Sequence, residues 1–366
     1  MKISRNQFTP SRLLWPCLGA IGLLFLTTLF FNPAPAATAA EPFSCDNVTT
    51  SPQTECEALV SLYESTGGYA DYSWDWVQDD GWLTAADPCT WYGVGCANGH
   101  VTNLSLSNNN LRGSLPTDLN DLTALESFFA SGNRLYGEIP AALGELTQLQ
   151  KLYLQSNWLS GEIPAALGNL SNLIDLYLSR NQLEGEIPAA LVNLGTLNVS
   201  FSYNMLEASD AAVLAWLAAN TPAWANTQTV PPTNLQILNV TNSTVLLSWD
   251  PILYTADDGR YIVGIAFASE EGYEGRAVTV DKSTSSLLVT DLPPGKTFYL
   301  AVQTITWSHD DQQNTLESRF GEGVTVTTLP GLTCDQITDI PQSECEALYA
   351  FYDSTQGWQW YSYTDW

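Results

Sequence analysis

Apolar residues recur in this chain at a fixed step of 24 residues. The phrase GEIPAALG begins at Gly137 and again at Gly161, and GEIPAAL returns at Gly185. Four segments align without gaps, and they begin at Val101, Leu125, Leu149 and Leu173. A fifth segment, from Leu197, lacks one residue near its start. Such a period predicts a solenoid in which each segment is one coil and buries its apolar residues against the next coil.

The common pattern of the segments is LxxLxLxxNxLxGxIPxxLGxLxx. Its LxL part predicts a short strand, and stacked coils place these strands side by side in a parallel sheet on the inner face. An asparagine recurs where the chain leaves each strand, at Asn109, Asn133, Asn157 and Asn181. We expect the buried amides to bond the turning backbone, whose polar groups need partners. The pattern resembles the leucine-rich repeat in its 24-residue plant-type form, which implies an α/β solenoid with a parallel inner sheet.

A solenoid exposes apolar surface at both ends, so it needs caps. Residues 41–100 are predicted to form the N-terminal cap, with a helix that starts at a capping box of Thr54 and Glu57. The stretch PCTWYGVGC in this region resembles the Cys-x-Trp-x-Gly-Val-x-Cys ending of the plant-type cap. At the other end, SDAAVLAWLAAN predicts a helix capped by Ser209 that covers the last coil. The coils and this helix together are assigned to residues 101–230.

The pattern changes after a proline-punctuated segment at 227–235, which we interpret as a domain boundary. Residues 231–328 contain short alternating strands separated by turn residues, which predicts an all-β sandwich. The opening PPTNLQI, the strand with Trp249 and the phrase LPPGKTFYLAV resemble a fibronectin type III domain. One departure is Phe298, which stands where that family has the tyrosine of its corner and has no hydroxyl to bond the backbone.

The last residues, 329–366, are predicted to be a truncated second cap. The sequence CDQITDIPQSECEALYAFYDSTQG from Cys334 matches CDNVTTSPQTECEALVSLYESTGG from Cys45, with Ser343 and Glu346 at the capping-box positions. No coil follows it in this sequence. We therefore interpret the sequence as a fragment or a truncated product of a longer alternating array, and expect this half-cap to be poorly ordered, with exposed aromatic residues.

Six cysteines remain after Cys17, and the first four of them allow three pairings. The spacing of Cys45 to Cys56 equals that of Cys334 to Cys345. Sequential pairs are therefore predicted, with Cys89 joined to Cys96. A metal site is disfavoured because the sequence has neither a CxxC motif nor a histidine cluster beside the cysteines.

The N-terminal 40 residues have the composition of an export signal. Lys2, Arg5 and Arg12 precede an apolar run at 13–31, which is followed by PAPAATAA. Cleavage is favoured, and an uncleaved membrane anchor is the alternative. The chain has a formal net charge of -27, which argues against binding nucleic acid or anionic membranes. A secreted or cell-surface protein is predicted.

The sequence contains no motif that supports catalysis. His100 and His309 are the only histidines, neither accompanies a GxSxG or HExxH motif, and both are interpreted as surface residues. No P-loop or GxGxxG occurs. The protein is therefore predicted to be neither an enzyme nor a cofactor-binding protein.

The inner face of the solenoid is the predicted ligand-binding surface. The middle position of each LxL points toward that face, because side chains alternate along a strand. One column of such positions contains Ser105, Phe129, Tyr153, Tyr177 and Ser200. Around its aromatic part, the predicted contact residues are Lys151, Asp175 and Arg180, together with Trp158 at the strand exit. Adjacent strands lie about 4.8 Å apart, so the three aromatic side chains should form one exposed row.

Two interpretations of this row remain open, since stacked aromatic side chains can anchor a ligand or can simply stabilise the sheet. The first gives an exported, non-catalytic protein that binds an extracellular protein or polysaccharide. The second gives a structural spacer in a cell-surface array. A third possibility, an inhibitor of an extracellular hydrolase, is implied by resemblance to the plant wall-hydrolase inhibitors that share this repeat.

Overall fold

The computed structural model describes residues 43–68, 76–267, 272–331 and 333–355. The predicted signal peptide at 1–40 lies outside these ranges. Among the residues within them, no helix has the length and apolar character needed to cross a membrane.

The N-terminal cap contains helix α1, Gln53–Ser65, and strand β1, Val94–Ala97. The helix begins directly after Pro52, whose carbonyl accepts a hydrogen bond from the backbone N–H of Cys56 at 3.2 Å. The predicted capping box was therefore wrong, because Thr54 already lies inside the first turn and Pro52 makes no side-chain cap. The predicted pairing of the cysteines is confirmed, with disulfides Cys45–Cys56 and Cys89–Cys96.

Each coil contributes two strands, one before and one after the recurring asparagine. In chain order the strands are β2 His100–Ser105, β3 Arg112–Gly113, β4 Ser127–Phe129, β5 Arg134–Gly137, β6 Lys151–Tyr153, β7 Trp158–Gly161, β8 Asp175–Tyr177, β9 Gln182–Glu186, β10 Asn198–Ser200 and β11 Met205–Glu207. The inner sheet has the order β1-β2-β4-β6-β8-β10, and all its pairs are parallel except β1 with β2. The parallel inner sheet is thus confirmed. A second sheet, β11-β9-β7-β5-β3, was not predicted.

The leucines of the LxL strands fill the space between the two sheets. Those of the third and fourth coils are fully buried, namely Leu152, Leu154, Leu176 and Leu178. Their burial confirms the strand register that the alternation predicted, because a slip of one residue would have exposed them.

The asparagines form a ladder along one edge of the coils, as predicted. The Oδ1 of Asn157 accepts from the N–H of Leu135 at 3.0 Å, and its Nδ2 donates to the carbonyls of Ala130 and Leu154 at 2.9 and 3.1 Å. Asn181 repeats this arrangement one coil later. Gln228 continues the ladder after the last coil, because its Oε1 accepts from Leu206 N–H at 3.0 Å. Each amide therefore joins neighbouring coils through buried backbone groups.

Helix α2, Ala211–Asn220, covers the last coil. Its N-cap is Asp210 rather than the predicted Ser209, because the Asp210 carboxylate accepts from two N–H groups of the first turn at 2.8 and 3.0 Å. A charged acceptor is well placed at a helix N-terminus. Val213, Trp216 and Leu217 are buried, whereas Leu214 lies at the side of this apolar face and is 43% exposed.

The sandwich consists of a three-stranded sheet, β12-β13-β16, and a sheet in which β17 pairs with β14, β18 and β19 and β15 pairs with β14. The strands are β12 Thr233–Val240, β13 Val245–Asp250, β14 Gly259–Ala266, β15 Glu274–Val278, β16 Ser286–Val289, β17 Thr297–Thr306, β18 Leu316–Glu317 and β19 Val324–Thr327. Trp249, Tyr261 and Phe298 lie in the core between the sheets. The predicted all-β sandwich is confirmed.

The half-cap consists of helix α3, Gln342–Ser354, and the disulfide Cys334–Cys345. This helix also starts directly after a proline, so Ser343 and Glu346 lie within it and the second capping box was wrong. Leu348 and Phe351 are about half exposed, at 47% and 52%.

The disulfides of the two caps are expected to differ in their effect on stability. Replacing Cys89 and Cys96 by alanine should lower the free energy of unfolding by roughly 2 kcal/mol, because the bond closes a short loop in the unfolded chain. Replacing Cys334 and Cys345 should leave the main transition in place, since α3 is largely exposed. Urea denaturation followed by circular dichroism measures both changes. Equal losses for the two pairs would show that α3 packs on the rest of the chain.

Candidate binding face

The predicted column of side chains is present on the inner sheet. Strand pairing places Ser105, Phe129, Tyr153, Tyr177 and Ser200 in register on five successive strands. The sequence produces this row because every coil has the same length between its strands, apart from the fifth, whose deletion precedes its strand. The row is therefore a direct consequence of the repeat.

Each aromatic ring of the row contacts its neighbour in the row. The ring centroids of Phe129 and Tyr153 are 4.8 Å apart in an edge-to-face arrangement. Tyr153 and Tyr177 are stacked at 4.6 Å with planes 26° apart. All three side chains are partly buried, so the expectation of a substantially exposed row was wrong. The physical reason is that each ring packs against its neighbour in the row, edge-to-face for Phe129 with Tyr153 and stacked for Tyr153 with Tyr177.

Asp175 supports the row from within and does not flank it at the surface. Its side chain is buried, at 7% exposure. One carboxylate oxygen accepts from the Tyr153 hydroxyl at 2.9 Å, and the other accepts from Nδ2 of Asn198 at 2.7 Å. Burial and the hydrogen bond to Asp175 raise the pKa of Tyr153 to about 12. The phenol therefore stays protonated at neutral pH and holds the carboxylate in place.

Lys151 and Tyr177 are polar residues of this face, and no hydrogen bond or ion pair of their side chains is found among the described residues. Lys151 is half-buried and lies in register with Asp175 on the neighbouring strand. Tyr177 stacks on Tyr153 through one face, and no hydrogen bond to its hydroxyl is found among the described residues. The face thus offers an apolar row with one cation beside it.

The remaining two predicted contact residues lie elsewhere. Trp158 belongs to β7 in the second sheet, where it pairs with Tyr136. Arg180 follows β8 with a φ of 58°, and its guanidinium is 3.1 Å from a carboxylate oxygen of Asp311 in the sandwich domain. It also lies over the ring of Tyr203, 5.6 Å from the centroid. Arg180 is thus engaged between the two domains rather than beside the aromatic row.

Sequence reasoning missed the loop between β17 and β18, which rests against the edge of the coils. His309 in this loop is partly buried, not a surface residue as predicted, and its Nε2 lies 3.0 Å from both the Tyr254 hydroxyl and a carboxylate oxygen of Asp257. His100, in contrast, is exposed and contacts the buried Glu55 at 2.7 Å. The polar letters SHDDQQN of the loop carry no signal for such docking, because they are typical of a solvated turn.

Two family models match the chain. The Fibronectin type III domain model matches residues 230–317. The Leucine Rich Repeat model matches residues 100–122, 148–170 and 172–194. Both matches fall on the segments whose folds are described above.

Individual proteins match parts of the chain. Tenascin-N from Mus musculus is 36% identical over 111 residues, which cover 30% of this chain and 6% of Tenascin-N. The leucine-rich-repeat ectodomain of the plant membrane receptor kinase GASSHO1/SCHENGEN3 from Arabidopsis thaliana is 32% identical, with a TM-score of 0.41 over 45% of this chain and 20% of that one. The BIR2 ectodomain from Arabidopsis thaliana is 32% identical, with a TM-score of 0.36 over 43% of this chain and 83% of that one.

The fold, the cysteines and the family matches agree. The coils have the parallel inner sheet and the asparagine ladder of the repeat, and the cap before them has its two disulfides. The following strands form two packed antiparallel sheets. The chain therefore carries leucine-rich repeats behind a disulfide-bonded N-terminal cap, followed by a fibronectin type III domain.

Proposed function

We propose that this protein is an extracellular, non-catalytic binding protein that holds a protein ligand on its inner sheet, at Phe129, Tyr153, Tyr177 and Lys151. The two matched families are typically binding domains and indicate no enzyme. Three disulfides in the described residues are typical of a secreted or surface-exposed protein. The single observation that carries the proposal is the continuous row of three aromatic rings with a cation beside it.

The arrangement of the rings favours a polypeptide over a polysaccharide. A sugar ring packs its C–H face against the flat face of an aromatic ring. Here Tyr153 and Tyr177 stack on each other, so one face of each ring is already covered, and the Tyr177 hydroxyl makes no hydrogen bond among the described residues. Edges and hydroxyls suit the mixed apolar and polar surface of a protein partner, in which Tyr side chains are frequent anchors.

The row also stabilises the sheet, and its members contribute unequally. The Tyr153 hydroxyl donates to the buried Asp175, so removing this hydroxyl leaves the carboxylate without one of its two partners. The Tyr177 hydroxyl makes no such hydrogen bond among the described residues. Tyr177→Ala is therefore the more selective probe of binding, and Tyr153→Phe is the probe of the support, with an expected loss of stability of about 1–3 kcal/mol.

The test is a binding measurement with matched variants. A ligand is first captured from extracellular protein and from a glycan array with the full chain, and its dissociation constant is then measured. Tyr177→Ala should weaken binding at least 30-fold, because a central aromatic anchor is typically worth 2 kcal/mol or more. Lys151→Ala should weaken it less. The matched control is Tyr136→Ala, which removes a tyrosine that is 50% exposed on the second sheet.

The outcomes separate the alternatives. Equal affinities of Tyr177→Ala and Tyr136→Ala would show that the row is only sheet packing, and the structural-spacer interpretation would stand. A glycan ligand whose affinity falls with Tyr177→Ala would keep the site but overturn the assignment to a polypeptide.

A further inference from the structure

The loop between β17 and β18, residues 307–315, lies along the asparagine edge of the coils. Its side chains alternate between the two environments. Gln312 and Asn314 are buried, whereas Asp310, Asp311 and Gln313 are exposed. The loop is thus held against the coils in one orientation, with a regular inward and outward pattern.

The loop contacts the coils through three side-chain amides. Nδ2 of Asn314 donates to the carbonyl of Asn157 at 2.9 Å, and Nε2 of Gln312 donates to the carbonyl of Tyr203 at 2.8 Å. Gln313 adds a bond to the Asn157 carbonyl at 3.2 Å. Gln312 also lies 3.4 Å from the carbonyl of Asn181, so the contacts reach three successive coils.

These carbonyls lie where each coil turns from its inner strand to its second strand. A buried carbonyl without a donor costs about 1–3 kcal/mol, and at the edge of a solenoid no further coil supplies one. The loop amides of the fibronectin domain provide these donors. The contact between coils and sandwich excludes water from these carbonyls. The loop amides supply the hydrogen bonds that water would otherwise make, and these bonds link the two domains.

Ionic and aromatic contacts surround the amides. Arg180 pairs with Asp311 at 3.1 Å, and Arg319 pairs with Glu207 at 2.8 Å. The ring of Tyr203 in the last coil packs edge-on against Tyr254, with centroids 5.9 Å apart. The contact therefore extends over charged, polar and aromatic groups from both domains.

The proline-punctuated segment between the domains is also packed. Thr229 is fully buried and donates to the hydroxyl of Thr306 at 2.7 Å. Thr304 donates to the carbonyl of Val230 at 2.7 Å. A free linker has no such bonds, so this segment is part of the joint.

We infer that the fibronectin domain is fixed to the coils as one rigid unit, with Gln312, Gln313 and Asn314 as the residues that lock the joint. This inference goes beyond the proposed ligand site and does not depend on it. A domain locked in this way is not a swinging spacer. It presents its surface in a constant orientation to the aromatic row, which lowers the ordering cost for any partner that touches both domains.

Calorimetry of the full chain tests the lock. The coils and the sandwich should unfold in one cooperative transition. Gln312→Ala combined with Asn314→Ala should split it, with the sandwich unfolding at least about 5 °C lower, since a loss of one kcal/mol shifts a domain of this size by that order. The matched control is Asp310→Ala in the same loop, which is exposed and should leave the single transition unchanged. Two independent transitions in the wild type, unmoved by the double substitution, would overturn the inference.

A distance measurement covers the case in which the double variant fails to fold. Spin labels at Gln148→Cys in a coil and Thr325→Cys in the sandwich replace two exposed residues. The wild type should give one narrow distance distribution, and the single variant Asn314→Ala should broaden it. A broad distribution in the wild type would show a flexible joint and refute the lock.

Discussion

Replacing Asn157 by alanine is expected to lower the free energy of unfolding by about 4 kcal/mol. The side chain is fully buried and satisfies one N–H and two carbonyls of the backbone, in its own coil and in the preceding one. Alanine removes the amide donor and acceptor together. The backbone N–H and the two carbonyls then have no partner in a buried site without water. Each buried unsatisfied group costs about 1–3 kcal/mol, and part of the loss is recovered by relaxation of the turn.

Urea unfolding followed by tryptophan fluorescence measures this loss. Asn169→Ala is the matched control, because Asn169 is exposed on the outer side of the same coil. That control should change stability by less than about 0.5 kcal/mol. A loss below 1 kcal/mol for Asn157→Ala would mean that water enters the turn and replaces the amide, and the ladder would then be no determinant of stability.

Replacing Lys282 by methionine is expected to stabilise the protein at pH 7 by up to about 3 kcal/mol. Lys282 is 1% exposed, its Nζ bonds the Thr306 hydroxyl at 3.1 Å, and it lies 4.1 Å from the centre of the Tyr254 ring. Burial lowers its pKa to about 8, against the opposing attraction of Asp257 and Asp258. Folding at pH 7 therefore keeps a cation in a site that disfavours charge.

The sign of the pH dependence follows from the lowered pKa. Between pH 8 and about 10.5 the unfolded chain still binds the proton, whereas the folded chain has released it. The unfolded state then binds more protons, so stability rises with pH through this window. Tyr153, whose pKa is raised to about 12, has the opposite effect as the pH rises above its ordinary value near 10.

The measurement is the free energy of unfolding from pH 7 to 9.5 in urea. The wild type should gain stability over this range, and Lys282→Met should show a flat profile at a higher value. Lys296→Met removes the same formal charge from a partly exposed site and should keep the rise. A parallel profile for wild type and Lys282→Met would show that the lysine keeps its ordinary proton affinity in the fold.

The sequence alone determined the solenoid, its inner sheet and the aromatic row. These features depend on local spacing, because each coil has the same length and each strand alternates its side chains. Tyr153 and Tyr177 had to become neighbours once Leu152 and Leu176 were assigned to the core. The pairs Cys45–Cys56 and Cys334–Cys345 followed from equal spacing in two copies of one segment, which left Cys89 and Cys96 to pair with each other.

The positions at which the helices begin were less predictable from the sequence. Both cap helices start directly after a proline, at Gln53 and Gln342, although the Thr or Ser at the next position suggested another start. The fixed φ of proline already sets the direction of the chain there. The N-cap of α2 is Asp210 and not Ser209, because a carboxylate is the stronger acceptor for free N–H groups.

Only the tertiary structure decided which side chains of the face remain available and how the two domains meet. Asp175 is buried and accepts a hydrogen bond from Tyr153 of the preceding coil. Arg180 forms an ion pair with Asp311, which is 131 positions later in the chain. The loop amides of Gln312 and Asn314 found carbonyls more than 100 positions earlier in the chain. Spacing and alternation act over a few residues and so fix the coils, whereas hydrogen-bond partners and desolvation depend on what the folded chain brings together, and no local pattern records that.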